Sequence, residues 1–424
     1  MALDAEEYKN RRKQMQQRQL AQRRRLRLRL IAAAVVLLLI GVLIFFVTRR
    51  GQSPEPTTPT ADTTLTSPSV EGTEAEPTEP YTVIHFAAGG DLNVTDAVVA
   101  SGGSGYDYTQ ALMDVAHLFA DADIAAVNFE GNFFGAPYGS DSRSAPQTLA
   151  TALSRAGVDL VQLANSYSIV HGMLGLSDTI NCVRAAGMEP LGVYATNTEF
   201  SQRKGYTIRE VQGIKIAFVA FTKGMVDGMA LPTGSENCVN LLYKDYASTY
   251  QSVDTAGITA VLDAAEAESP DITVAMLHWG SEFNDTVSAS QERICSIMQQ
   301  HGVDVIIGTH AHYVQKMVFD PVKGTFTAYC LGDFFGDAAR AGSEYSVILD
   351  LEITKDNNTG VTMVTDYTYT PIFTVAEANS PLRILRIREA IAAYEANYID
   401  RVSQETYDAM EYALQRIEAR VTGE

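Results

Sequence analysis

Cysteine is scarce in this chain: four residues, Cys182, Cys238, Cys295 and Cys330, in 424, with no C-x-x-C pairing. That excludes a disulfide-dense scaffold and a thiolate zinc site, and it leaves buried free thiols as the reading. Basic charge is scarce once the chain is cut at residue 50. Residues 1–50 hold 12 of the 32 Lys and Arg and 3 of the 51 Asp and Glu, which leaves 20 basic against 48 acidic residues beyond them, net −28. Such a body excludes nucleic-acid binding through a basic face, and it repels an acidic polymer unless cations intervene. Internal repeats and long heptads are absent, so neither a solenoid nor a coiled coil is expected.

Long apolar runs are absent too, with one exception. IAAAVVLLLIGVLIFFV, residues 31–47, holds 17 uncharged residues. As a helix it spans about 26 Å, and Arg27 and Arg29 can snorkel beside it. Ten Lys and Arg precede the run and only Arg49 and Arg50 follow closely. Positive-inside asymmetry then predicts a basic cytoplasmic tail (1–30), a single transmembrane helix (31–47) and a main domain outside the cell. A cleaved signal peptide fits less well, because the basic region is long and Thr48-Arg49-Arg50 lacks small residues for cleavage. Residues 48–80, rich in Pro, Thr and Glu, cannot bury enough surface to fold and read as a disordered linker.

From Tyr81 short apolar runs alternate with amphipathic stretches. YTVIHFAAGGD, DIAAVNFE, DLVQLAN, KIAFVAF, DITVAMLHWG, DVIIGTHAH and AYCLGD read as buried strands. Helical spacing marks Tyr108 to Phe119, Thr148 to Ala156, Leu174 to Ala186, Thr255 to Glu268 and Ser290 to His301. The fold class is therefore α/β with a layered sheet core. Tyr345 to Ile353 and Thr362 to Ile372 read as antiparallel strands that close a main domain of residues 81–375. The C-terminal extension, 376–424, reads as two helices, Leu382 to Tyr398 and Gln404 to Val421.

Potential metal ligands fall at the ends of these runs, where α/β sheets collect functional groups. Asp91 follows the first strand, Asn128 and Glu130 end the second, and Asn165 ends the third. His278 ends VAMLH, and His310 with His312 ends VIIGTHAH. Two imidazoles of an H-x-H on an extended segment share one face and can reach adjacent ions, while a carboxylate such as Glu130 can bridge two cations. Carboxylate, amide and imidazole suit zinc, manganese or iron. A lone His after a strand is commonly a hydrogen-bonded structural residue, so the joint pattern carries the argument. Trp279, the only tryptophan, reads either as a wall of a cleft beside His278 or as a residue packed on the sheet.

Residues 81 to about 372 resemble the CapA family of capsule biosynthesis. The matching pieces are Gly90-Asp91, Asn128-Phe129-Glu130, Ala164-Asn165, Gly172 with Gly175-Leu176 and Asp178-Thr179, His278-Trp279-Gly280 with Glu282, Gly308-Thr309-His310-Ala311-His312 with Gln315, and Leu331-Gly332-Asp333-Phe334. The resemblance implies a fold related to calcineurin-like metallophosphoesterases and a role in synthesis or export of a poly-γ-glutamate type polymer. It also implies a dinuclear-like metal site of Asp91, Glu130, His278, His310 and His312, with Glu130 as the bridge and Asn128 nearby. Asn165, Ser166, Glu282 and Asp333 stand as neighbours or ligands of that site, Asp333 reading more as a turn residue beside it than as a ligand.

The third motif departs from the family pattern A-N-N-H-x-x-D-x-G, because Ser166, Tyr167 and Val170 replace its second Asn, its His and its Asp. Candidates for the missing proton donor are Tyr167 and His171, four residues along. Three functions stay open. They are a metal-dependent hydrolase or transferase in envelope polymer assembly, a non-catalytic accessory protein with a degenerate metal site, and a metallophosphoesterase. Expected partners are the membrane bilayer and other envelope polymer synthesis proteins, with no nucleic acid.

Overall fold

Among the described residues fourteen strands follow in chain order: β1 (Tyr81–Asn93), β2 (Ile124–Glu130), β3 (Leu160–Gln162), β4 (Glu189–Leu191), β5 (Tyr206–Val211), β6 (Ile214–Thr222), β7 (Ile272–His278), β8 (Val305–Thr309), β9 (Met317–Asp320), β10 (Thr325–Ala328), β11 (Asp333–Phe335), β12 (Tyr345–Asp356), β13 (Thr362–Val375) and β14 (Arg383–Arg386). They form two sheets in the computed structural model, which describes residues 80–378, 380–398 and 402–423. The expected basic tail, membrane span and all but the last residue of the linker lie outside the described residues. Among the described residues no helix is long and apolar enough to cross a membrane.

The first sheet runs β14-β13-β12-β1-β2-β3-β4, with β11 paired to β1, and the second runs β5-β6-β7-β8-β10-β9. In the first, β1 to β4 are parallel, while β12, β13 and β14 add antiparallel. In the second, β6, β7 and β8 are parallel. Parallel neighbours need crossovers, which the helices Thr148–Arg155, Gly172–Ala185, Thr255–Glu266 and Ala289–Gln300 supply. Every residue of β2 and β7 is buried, as expected for parallel strands covered on both faces.

Period-two alternation sorts the strands between layers. Ile84, Phe86 and Ala88 of β1 share one core with Ile216, Phe218 and Ala220 of β6, so the sheets pack face to face. Phe86 and Phe218 meet there edge-on with centroids 5.7 Å apart. Ala87 and Val127 point the other way, into a second core with Leu149, Leu153, Ile180 and Val183 of the crossover helices. Val219 and Leu277 do the same on the far side, against Ile258, Leu262, Ile294 and Met298. The fold is therefore a layered mixed α/β arrangement with two sheets at its centre.

Several elements differ from the sequence reading. Tyr108 to Phe119 breaks into two short helices, Thr109–Leu112 and Ala116–Ala120. AYCLGD is no single strand: β10 ends at Ala328, Gly332 turns with φ +83°, and β11 begins at Asp333. The stretch from Leu382 opens as β14, paired to β13, and turns helical only at Ile387–Glu395. Met410, Ala413, Ile417 and Val421, on one face of the last helix (Gln404–Thr422), join the core between the sheets. All four cysteines are free; three are buried and Cys182 is half-buried.

Candidate metal centre

The centre begins with two glycines. A Cβ at Gly90 would stand 1.8 Å from the Gly332 carbonyl oxygen, so only glycine lets β1 and β11 approach this closely. Asp91 N then donates to Gly332 O at 3.0 Å, and the register sets Asp91 opposite Asn128 on β2 and Asp333 on β11. In the facing sheet His278 ends β7 opposite Thr309, the end of β8. The carboxyl ends of parallel strands from both sheets thus contribute to one site.

Six buried side chains form two groups of three. In each, one ligand atom per residue lies within 4.8 Å of the others: Glu130, His278 and His310 in the first, Asp91, His312 and Asp333 in the second. Asn128 joins them, with Nδ2 2.6 Å from Asp91 Oδ1, 3.4 Å from Glu130 Oε1 and 3.4 Å from His278 Nδ1. Asn165 holds Asn128 in turn, donating to its Oδ1 at 3.1 Å and to the Phe129 carbonyl oxygen at 2.6 Å. His278 Nε2 lies 3.0 Å from Ser166 Oγ, and its Nδ1 lies 3.1 Å from Thr309 Oγ1.

The H-x-H segment is not extended as the sequence suggested. Strand β8 stops at Thr309, and His310 and His312 adopt φ +85° and +58°, left-handed values that cost non-glycine residues energy and that cluster at functional sites. The two rings therefore part, with centroids 6.2 Å apart, and enter different groups. Asp333 is likewise no turn residue: it opens β11, and its Oδ1 lies 2.7 Å from His312 Nδ1.

Electrostatics separates the groups. Burial pushes Asp91 up to about 7, with His312 opposing the rise and Asp333 adding to it. Burial also raises Glu130 well above the usual carboxylate range, helped by the charge of Asp91. Burial alone would lower His312, yet Asp333, with Glu130 and Asp91, pushes it up to about 10. His278 and His310 are held well below the usual histidine range by burial, so both are neutral and able to ligate. His310 is 3% exposed, and neither of its ring nitrogens has a hydrogen-bond partner among the described residues. Leaving such atoms unsatisfied costs about 1–3 kcal/mol, which a ligated cation removes. Three buried carboxylates beside one readily charged histidine also call for added positive charge. On both counts these residues fit divalent metal ions.

The remaining expected residues fall around this core. Glu282 is exposed and lines a cavity with Ser166 and His310. The Tyr167 ring lies under Arg143, 4.5 Å from its centroid, and burial with the charge of Glu130 pushes its hydroxyl up to about 12. His171 stands outside both groups: its Nε2 lies 2.6 Å from the Ser142 carbonyl oxygen and its ring stacks on Phe134. Trp279 is fully buried and donates Nε1 to the Tyr329 carbonyl oxygen at 2.8 Å, so it packs on the sheet rather than lining a cleft. Gln315 fixes the loop after β7, accepting from Gln291 Nε2 at 2.9 Å and donating to Asn284 O at 2.8 Å. Sequence reasoning missed Phe283, stacked on His312, and Lys223. Lys223 follows the end of β6, so the strand-end rule applied to five other runs would have found it.

Residues 85–338 match the family of the bacterial capsule synthesis protein PGA_cap, well over half of the chain. The chain belongs to the PGA_cap family. All six residues of the two groups, with Asn128 and Tyr167, lie inside the PGA_cap stretch. Among curated relatives, the capsule biosynthesis protein CapA of Bacillus anthracis is 27% identical over 218 residues, 51% of this chain and 49% of that protein. The PGA biosynthesis protein CapA of Bacillus subtilis is 23% identical over 251 residues, 57% of this chain and 60% of that protein. This PGA_cap chain thus covers less than two thirds of either relative. Similar solved structures include the calcineurin-like phosphoesterase YfkN of Bacillus subtilis, at TM-score 0.42 and 15% identity over 79% of this chain and 100% of that one. Another is a phosphatase of Mycoplasma pneumoniae, at TM-score 0.42 and 15% identity over 69% and 94%.

Proposed function

We propose that this PGA_cap protein is a single-pass membrane protein, anchored by residues 31–47 with its N-terminus in the cytoplasm. Its outer domain serves capsule or cell-envelope polymer assembly of the poly-γ-glutamate type, as a metal-dependent hydrolase or transferase of the calcineurin-like metallophosphoesterase class. The observation that carries the catalytic part is the pair of buried three-ligand groups, with both His310 ring nitrogens unpartnered. Glu130, His278 and His310 would hold one ion and Asp91, His312 and Asp333 the other, the donor set suiting zinc, manganese or iron. When bound, such ions polarise a scissile bond and bring the ionisation of water toward neutral pH. The chain's own residues do the positioning: Asn128 orients Asp91 and Glu130, Thr309 fixes the His278 ring at Nδ1 and leaves Nε2 facing Glu130, and Asp333 fixes His312. The bilayer and other envelope polymer synthesis proteins are the partners of this reading, and the acidic body disfavours nucleic acid.

One observation favours a second reading, an accessory protein that binds metal without turnover. Tyr167, with its hydroxyl raised to about 12, is a weak acid near neutrality, and His171 is engaged with Ser142. Elemental analysis of the full chain purified without chelator, beside a His310→Ala, His312→Ala variant, separates the readings. About two ions per chain that vanish in the variant, together with hydrolysis of polyglutamate or a phosphodiester, support the enzyme. The same ions without turnover support the accessory protein, and no uptake of added zinc or manganese defeats both.

A further inference from the structure

Lys223 follows Thr222, the last residue of β6, which registers with His278 on β7. Its backbone N–H donates to the His278 carbonyl oxygen at 2.8 Å, so the residue leaves the same rim as the metal ligands. The side chain is half-buried, with Nζ donating to Gly280 O at 2.9 Å and lying 4.8 Å from the centroid of the Tyr250 ring. An ammonium carries three donors, so two remain after that bond. Lys215, Lys323 and Lys355 each pair with a carboxylate, at 3.9, 3.2 and 2.8 Å. Lys223 has no such ion pair among the described residues, in a body of net −28.

A cavity of about 300 Å³ opens beside it, lined by Ser166, Lys223, Tyr250, Glu282 and His310 among others. His310, buried and unpartnered at both ring nitrogens, forms part of the wall. The lining therefore brings together a half-buried cation and a candidate ligand of the first group, with Asp227 and Glu282 as its two carboxylates. A half-buried charge without its counter-ion is unfavourable, and an incoming anion relieves it. We propose that Lys223 binds an oxyanion of the substrate, a phosphoryl or carboxylate group, in this cavity beside Glu130, His278 and His310. The proposal rests on the two-metal reading above and names the chemistry that reading must accept. It also supplies local positive charge where the acidic body would repel an acidic substrate.

The test uses the full chain, titrated by calorimetry with inorganic phosphate and separately with succinate, as wild type, Lys223→Gln and Lys223→Arg, with the metal content of each measured alongside. The expected result is that wild type binds one anion, that Lys223→Gln weakens it by about tenfold or more at unchanged metal content, and that Lys223→Arg restores most of the affinity. Tighter phosphate assigns a phosphoryl group to the cavity, and tighter succinate assigns a carboxylate. Equal affinity in wild type and Lys223→Gln overturns the proposal, as does a wild type that binds neither anion up to about 10 mM. A Lys223→Gln chain that loses its metal or its cooperative melt assigns Lys223 to the scaffold and overturns it as well. A wild type without metal counts against the two-metal reading alone, because the comparison of anion affinities still decides Lys223.

Discussion

Gly90→Ala tests whether the approach of β1 to β11 is what sets Asp91 in place. The new Cβ would lie 1.8 Å from Gly332 O and 3.3 Å from Leu331 Cβ. Ordinary contacts lie near 3.5 Å, so the strands must part by about 1.7 Å, and a backbone carbonyl has no rotamer with which to escape. That movement breaks the 3.0 Å hydrogen bond from Asp91 N to Gly332 O. Overpacking costs about 1–3 kcal/mol and the lost bond about 1 more, together about 2–4 kcal/mol. For a domain of this size each kcal/mol lowers Tm by about 2 °C, so melts followed by circular dichroism should fall by about 4–8 °C. The same movement draws Asp91 from Asp333 and His312, so elemental analysis should find the second group emptied. Gly105→Ala is the control, since its Cβ would meet nothing within 4 Å. If Gly90→Ala melts within about 1 °C of wild type and keeps its metal, the close approach does not place Asp91 and the reasoning fails.

Three further outcomes follow from the same geometry. In metal-free protein the raised pKa of His312, about 10 against 6.5, contributes stability in full below pH 6.5 that is lost as pH rises through about 10. Glu130, raised by burial, acts in the same direction, so urea midpoints should fall from about pH 7 to 10 and Asp333→Asn should flatten the fall; a flat wild-type profile contradicts this. Trp279→Phe removes a fully buried indole and its bond to Tyr329 O, at a cost of about 2–4 kcal/mol by urea unfolding; a cost under about 1 kcal/mol would show that the indole is not a packing element. Ser166→Asn with Tyr167→His restores the amide and imidazole of the family pattern, and under the hydrolase reading it should raise turnover by about 100-fold or more; an unchanged rate with both ions bound counts against a missing acid as the limit.

The strand ends were legible because the rule behind them is topological: parallel strands put their carboxyl ends on one side, so polar residues closing apolar runs gather there. Asp91, Glu130, His278, His310 and His312 were singled out that way and through the resemblance, and the fold brings them together. Asp333 was placed beside the site but read as a turn residue, because β11 is three residues long and pairs with β1 across the chain, a partnership no local pattern encodes. The left-handed turn at His310 and His312 escaped because a period-two rule presumes an extended backbone, and the segment turns once β8 ends. Arg383 to Arg386 was read as helix since Ile384 and Ile387 suit that period, but four residues suit a strand equally well, and pairing with β13 decided.

The two candidate metal groups are linked through one side chain, and this explains why the strained histidine turn persists. Asp91 Oδ2 accepts from His310 N at 2.8 Å, so the carboxylate of the second group fixes the turn that presents His310 to the first. Its other oxygen accepts from Asn128 Nδ2, the amide that also reaches Glu130 and His278 of the first group. A left-handed non-glycine residue costs about 1–3 kcal/mol, and a hydrogen bond to a charged acceptor returns about 1.5–3 kcal/mol, so the turn holds only while Asp91 stays in place and ionised. Burial raises Asp91 toward neutrality in the absence of added positive charge, and a cation in the second group reverses that. Filling the second group therefore also stabilises the geometry of the first. Loss of Asp91 should disturb both groups, whereas loss of Asp333, which touches His312 but not His310, should disturb chiefly its own.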